Sequence, residues 1–92
     1  MADLFAPDEP VYIISIVARY LRVSAQTLRI LEKQGLVTPA RTERNTRLYS
    51  RNDVERLSRI CFLLRERKVN LAGIRMILDQ EAGHTTGGEK YE

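Results

Sequence analysis

The chain has one cysteine and one histidine among its 92 residues. A single thiol cannot close a bridge within the chain, and one Cys with one His cannot complete a tetrahedral zinc site. Disulfide-stapled scaffolds and Cys/His zinc folds are therefore excluded. No apolar run exceeds five residues, against roughly 20 for a bilayer span, and none matches the apolar stretch of a secretion signal. These absences lead to the expectation of a cytoplasmic protein with no membrane partner. No carboxylate pair, Gly-rich phosphate loop or nucleophile–base spacing is visible, and His84 stands alone in a Gly/Thr stretch. The chain is accordingly not read as an enzyme, and no cofactor or metal site is expected.

What remains is a chain of ordinary hydrophobic content, 43%, long enough for one small domain with a modest core. Its net charge of +3 conceals a steep pattern. Residues 1–10 carry Asp3, Asp8 and Glu9 and no base. Residues 11–78 carry fourteen Lys/Arg against five Asp/Glu, for +9, whereas residues 79–92 return to −3. A compact basic segment between acidic ends favours a polyanion as partner. Most of the cations are Arg, whose planar fork donates bidentately to phosphate and guanine.

Pro7, Pro10 and three acids make residues 1–10 an acidic lead-in, after which Val11-Tyr12-Ile13 suits a short strand or packing arm. Ser15 is a candidate N-cap for a short helix in which Ile16, Val17, Ala18, Tyr20 and Leu21 are apolar and Arg19 faces solvent. Arg22-Val23 forms a connection. Ser24 caps a second helix with Leu28 and Leu31 on one face, and Gly35 ends it in the left-handed position. Pro39 precludes a helix in the next segment. There, β-branched and aromatic residues flank a polar centre, and Asn45 tolerates the positive φ of a hairpin tip. A two-stranded hairpin is expected, with Arg41, Arg44 and Arg47 near its tip. Ser50-Arg51-Asn52-Asp53 reads as a capping box with Asp in place of Glu. It opens a third helix, expected to about Lys68, with Val54, Leu57, Ile60, Cys61 and Leu64 as its inner stripe. Cys61 on that stripe reads as a buried hydrophobe rather than a nucleophile. Asn70 caps a fourth helix with Leu71, Ile74, Ile77 and Leu78 inward. Residues 80–92, with their Gly and Thr, read as a flexible acidic tail.

The order helix-turn-helix, basic hairpin, helix, helix over residues 11–79 resembles the DNA-binding domain of the MerR family. The matching residues are Tyr12, Ile14 and Ala18; Val23-Ser24, Thr27-Leu28-Arg29, Glu32 and Gly35-Leu36; Pro39, Arg41 and Arg47-Leu48-Tyr49-Ser50; Asp53 and Leu57; and Leu71, Ile74 and Leu78. Pro10 to Ser15, the hairpin sequence and Asn70-Leu71-Ala72-Gly73-Ile74 look like the heat-shock repressor (HspR-like) subgroup. A nitrogen-regulator (GlnR-like) subgroup shares the last segment and a similar hairpin.

The resemblance implies a mainly α fold with a small β-hairpin wing, a winged helix-turn-helix. It implies a sequence-specific regulator of transcription that binds double-stranded DNA, and, for the heat-shock subgroup, a repressor of stress or chaperone genes. A recognition helix at about 24–34 would enter the major groove and a wing at 38–49 would lie on the backbone. The implied DNA-facing set is Arg19, Ser24, Gln26, Thr27, Arg29, Arg41, Arg44, Asn45, Arg47, Tyr49 and Lys68, with Lys68 on the family's second wing. Two departures bear on affinity: Ile30-Leu31 stand where aromatic residues are common, and Arg22 stands in a turn where Gly is frequent. Family members add a long helix that pairs as an antiparallel coiled coil. Fourteen residues follow Leu78 here, too few for several heptads. Either the chain is the DNA-binding piece of a longer protein, or pairing on an inverted-repeat operator is expected to depend on the DNA or on a partner rather than on a stable dimer in solution. A second reading, a protein-binding adaptor or chaperone co-regulator, draws on the acidic tail and on outward Ile30 and Phe62.

Overall fold

The computed structural model describes residues 4–90, with side chains described up to residue 80. The order of elements is β1 (Tyr12–Ile13), α1 (Ile14–Leu21), α2 (Ala25–Lys33), β2 (Ala40–Arg41), β3 (Arg47–Tyr49), α3 (Arg51–Arg65) and α4 (Leu71–Lys90). The chain divides into two compact units, Met1–Arg59 and Ile60–Glu92.

In the first unit, β3 is the central strand of a three-stranded antiparallel sheet ordered β1-β3-β2. Tyr12 faces Tyr49 and Ile13 faces Leu48 on one side, and on the other Ala40 faces Leu48 and Arg41 faces Arg47. The expected hairpin is therefore present, and the apolar arm before α1 joins it as a third strand. Two-residue strands carry too little alternation to announce their pairing in a sequence. The same strand corrects the start of α1. Ile13, still extended, is the N-cap without any side-chain hydrogen bond, and Ser15 is the second helical residue. The chain passes from strand to helix with no room for a polar cap.

Val17, Ala18 and Leu21 of α1 are buried, whereas Ile16 and Tyr20 are 55% and 72% exposed. One short helix can bury only one stripe; positions 17, 18 and 21 form it, and 16 and 20 share the neighbouring face. Leu28 and Leu31 of α2 and Leu36, Val37, Tyr49 and Leu57 complete this core.

α1 and α2 end alike. The amide of Val23 donates to the Ala18 carbonyl (3.0 Å), and that of Leu36 donates to the Leu31 carbonyl (3.0 Å). Each bond spans a left-handed residue, as helix C-terminal motifs require. At α2 this residue is Gly35, with φ of 78°; at α1 it is Arg22, with φ of 60°. The capping box at α3 is reciprocal: Ser50 N donates to Asp53 Oδ2 (2.9 Å) and Asp53 N donates to Ser50 Oγ (3.0 Å).

In the second unit, α3 stops at Arg65 rather than Lys68. Lys68 is left-handed, with φ of 53°, and the Val69 amide turns back to the Leu63 carbonyl (3.0 Å). Ile60, Cys61, Leu63, Ile74 and Leu78 are buried. Leu63 thus takes the inward place expected of Leu64, which is half-buried. Burial pushes the Cys61 thiol up, away from the reactive thiolate. Asn70 caps α4 through Oδ1, which accepts from the Gly73 amide (2.8 Å). The helical backbone continues to Lys90, past the expected end near residue 79. Its glycines each cost a helix about 1 kcal/mol but leave the amide ladder intact, and no proline interrupts it. The side chains of 81–90, which include His84, and residues 91 and 92 lie outside the described residues.

The left-handed Arg22 yields a direct test. Arg22→Gly removes a steric conflict between Cβ and the backbone and adds back some chain entropy to the unfolded state. The expected net gain is about 0.5–1 kcal/mol. Urea unfolding should show a higher midpoint at unchanged slope; a lower midpoint would refute the strain at this turn.

Candidate nucleic-acid interface

α2 is anchored by Leu28 and Leu31, which are almost fully buried, so its opposite face points to solvent. Gln26, Arg29, Ile30 and Lys33 are exposed there. The side chains of Gln26, Arg29 and Lys33 have no protein partner among the described residues. Ser24 and Thr27, by contrast, serve the helix itself. Ser24 Oγ accepts from the Thr27 amide (3.0 Å) and lies 3.0 Å from Thr27 Oγ1. These contacts satisfy an orphan donor of the first turn and hold both hydroxyls in place. Arg19 of α1 is exposed, also without an ion pair.

The wing turns through Glu43, Arg44 and Asn45. The Asn45 amide donates to the Thr42 carbonyl (2.8 Å), the Thr42 amide donates to the Thr46 carbonyl (2.9 Å), and Asn45 has φ of 66°. This is the three-residue hairpin loop with a left-handed last residue. Thr42 braces it: Oγ1 accepts from the amides of Arg44 (3.2 Å) and Thr46 (3.1 Å). Arg44 stands exposed at the tip.

Between helix and wing lies Glu32. Its Oε2 accepts from Arg41 Nη2 (3.0 Å), and its Oε1 accepts from Arg47 Nε (2.5 Å). The side chains of Arg41, Arg47 and Glu32 are 35%, 24% and 22% exposed. Arg41 Nη1 also donates to the Asn45 carbonyl (3.1 Å) and Oδ1 (3.3 Å). Arg41 and Arg47 are register partners, and like charges directly opposite in a sheet repel. Glu32 relieves that repulsion and ties α2 to the wing. Its pKa is lowered, chiefly by the Arg47 hydrogen bond, with partial burial opposing. The sequence shows Glu32 as the lone acid of α2, but the register that brings both guanidiniums to it is not encoded locally. A further brace, unmarked in the sequence, is Arg56 Nε donating to the Leu36 carbonyl (2.6 Å) just past α2.

The structure thus brings Ser24, Gln26, Thr27, Arg29, Arg41, Arg44, Asn45 and Arg47 onto α2 and the wing, with Arg19 on α1. Lys68 is exposed in the second unit, at the turn after α3. Tyr49 does not join them. It is 0% exposed, its hydroxyl has no hydrogen-bond partner, and burial raises its pKa. Its alternation in β3 turns it into the core, so it presents no surface to a ligand.

Two short helices at a tight turn, an outward polar face on the second and a basic hairpin beside it define a winged helix-turn-helix domain. The chain belongs to the MerR family of HTH regulatory proteins, whose family model matches residues 12–81. It is 42% identical over 74 residues to the heat shock protein HspR of Streptomyces coelicolor, covering 80% of this chain and 49% of that protein. It is 40% identical over 76 residues to the HTH-type transcriptional regulator GlnR of Bacillus anthracis and of Bacillus cereus, covering 83% of this chain and 58% of each. The chain spans about half the length of the curated relatives it matches. Among solved structures it resembles HiNmlR, a MerR family regulator lacking the sensor domain, in a crystal with promoter DNA. The TM-score is 0.68 and the identity 26%, over 77% of this chain and 54% of that one.

A depressed carboxylate stabilises the fold above its unfolded pKa and loses that contribution as pH falls through the folded value. The tie between α2 and wing should therefore be complete above about pH 4.5, the ordinary value, and weaken below it. An NMR titration should find Glu32 ionising below the ordinary glutamate value of 4.5, with the Arg47 Nε proton shifting in step. A Glu32 midpoint at or above 4.5 would contradict the bridge.

Proposed function

We propose that the chain is the DNA-reading domain of a transcription regulator, with α2 in the major groove and the wing on the flanking backbone. The observation that carries this reading is the outward face of α2. Gln26 and Arg29 project with no protein partner from a helix pinned by Leu28 and Leu31, beside a cationic wing. Gln offers adenine a bidentate pair, and Arg does the same for guanine. Arg19, Arg44 and Lys68 supply phosphate contacts, which fix register without reading sequence. Asn45 at the wing tip and Thr27 at the start of α2 are further candidates, and Ser24 contributes as the cap that sets the first turn. The promoter-bound state of HiNmlR supports the same mode of binding.

Repression of stress or chaperone genes is supported by the likeness to HspR, and nitrogen-linked repression by that to GlnR, at nearly equal identity. The operator is proposed to be an inverted repeat read by two copies, and the setting is the cytoplasm, where such an operator lies. Exposed Ile30 (42%) and Phe62 (48%) favour a second reading, a protein-binding adaptor.

Selection from a pool of random duplexes at two salt concentrations tests the proposal. An enriched inverted repeat or half-site, with affinity falling on the order of 10³-fold or more across the salt range for six phosphate contacts, supports it. No enriched sequence would turn the reading to the adaptor. On the enriched duplex, Arg29→Ala should cost about 1–3 kcal/mol and relax the preference at one base pair. Arg44→Ala should weaken all duplexes alike and lower the salt slope by about 0.9.

A further inference from the structure

We propose that Glu32 limits how tightly this domain holds DNA of any sequence. Its carboxylate withholds the Arg41 and Arg47 guanidiniums from phosphate, which lowers binding to every duplex and leaves discrimination to the outward side chains of α2. The inference rests on the DNA reading above and deepens it.

The cations of α2 and the wing fall into two kinds. Arg29, Lys33 and Arg44 are exposed, with side chains that have no acceptor among the described residues. Arg41 and Arg47 are committed. Arg41 is held at both ends of its guanidinium, by Glu32 through Nη2 and by Asn45 through Nη1. Arg47 is held through Nε on the other oxygen of the same carboxylate. All three charged groups are partly withdrawn from water, where an ion pair is screened less than in the open. A phosphate that takes the donors now held by Glu32 and Asn45 must break these bonds, and one that takes the remaining N–H groups must approach the Glu32 carboxylate, which repels it.

Phosphate contacts raise affinity for every duplex without distinguishing among them. Each adds about 0.9 to the salt slope, which near 0.1 M salt is roughly tenfold in affinity. Two quieted guanidiniums therefore lower binding to every duplex alike, so that retention on DNA at a given salt depends more heavily on the base contacts of a true site. A purely structural Glu32 makes the opposite prediction: its loss loosens the wing and weakens every duplex.

The test compares the wild-type chain with Glu32→Gln, which keeps the size and hydrogen-bonding capacity of the side chain. Fluorescence anisotropy over a salt series would use a random-sequence duplex and the duplex enriched from the pool. The variant should show a slope steeper by up to about 1.8 and tighter binding to both duplexes by roughly tenfold or more, with the ratio between them unchanged. An unchanged slope, or weaker binding to both duplexes by a folded variant, overturns the inference. Arg41→Gln gives an independent arm should Glu32→Gln fail to fold. In the wild-type background it should lower the slope by well under 0.9, because this guanidinium is already taken. A full loss of 0.9 would mean that Arg41 sits on phosphate, and would also overturn the inference. If the wild-type chain shows no salt-dependent binding, the DNA reading itself has failed, an outcome distinct from a wild-type chain that binds and a variant that does not differ from it.

Discussion

The bridge from Glu32 to Arg41 and Arg47 decides where the wing stands. Strands of two and three residues have little stability of their own, and the wing's two register-paired arginines repel. A carboxylate from the last turn of α2 supplies the missing counter-charge and, in doing so, fixes the hairpin against the helix that carries the outward polar face. Arg41 passes the constraint on to Asn45 at the tip. One acidic residue thus sets the geometry of three elements. This is a different use of charge from the open surface pair, whose contribution is commonly under 1 kcal/mol.

β3 is the second organising feature. It pairs on both edges, with β1 from the start of the domain and β2 from the wing. Arg47 and Tyr49 share one face of it and Leu48 takes the other, so that a single face sends a phenol into the core and, two residues away, a guanidinium to Glu32. The unpartnered Tyr49 hydroxyl is the one buried polar side-chain atom left unsatisfied among the described residues, a cost of about 1–3 kcal/mol that the burial of its ring outweighs.

The helices were legible in the sequence because their signals are local: the Ser24 cap, the Gly35 stop, the Ser50–Asp53 box and the Asn70 cap each lie within a few residues of what they control. The α2 face was legible for the same reason, since Leu28 and Leu31 fix which side is wet. What escaped was long-range. The pairing of the first strand with β3, the burial of Tyr49 and the capture of Arg41 and Arg47 all depend on partners distant in the chain. β1 and β3 bring together residues 35 and 37 positions apart, and Glu32 lies 9 and 15 positions from its two arginines, separations that no short window of sequence contains. The absent Ser15 cap has a related reason: the pairing that holds Ile13 extended up to the first turn of α1 is with Leu48, far along the chain.

The outward face of α2 also has an evolutionary meaning. Gln26, Arg29 and Lys33 are exposed and make no side-chain hydrogen bond or ion pair among the described residues, and the two leucines that anchor the helix stand at other positions. Substitutions at such exposed sites commonly change stability by less than about 0.5 kcal/mol. The scaffold and the text it displays are therefore separable. Descendants of this chain can exchange one set of outward residues for another, and so acquire new targets, while the same core, caps and Glu32 bridge keep the domain folded.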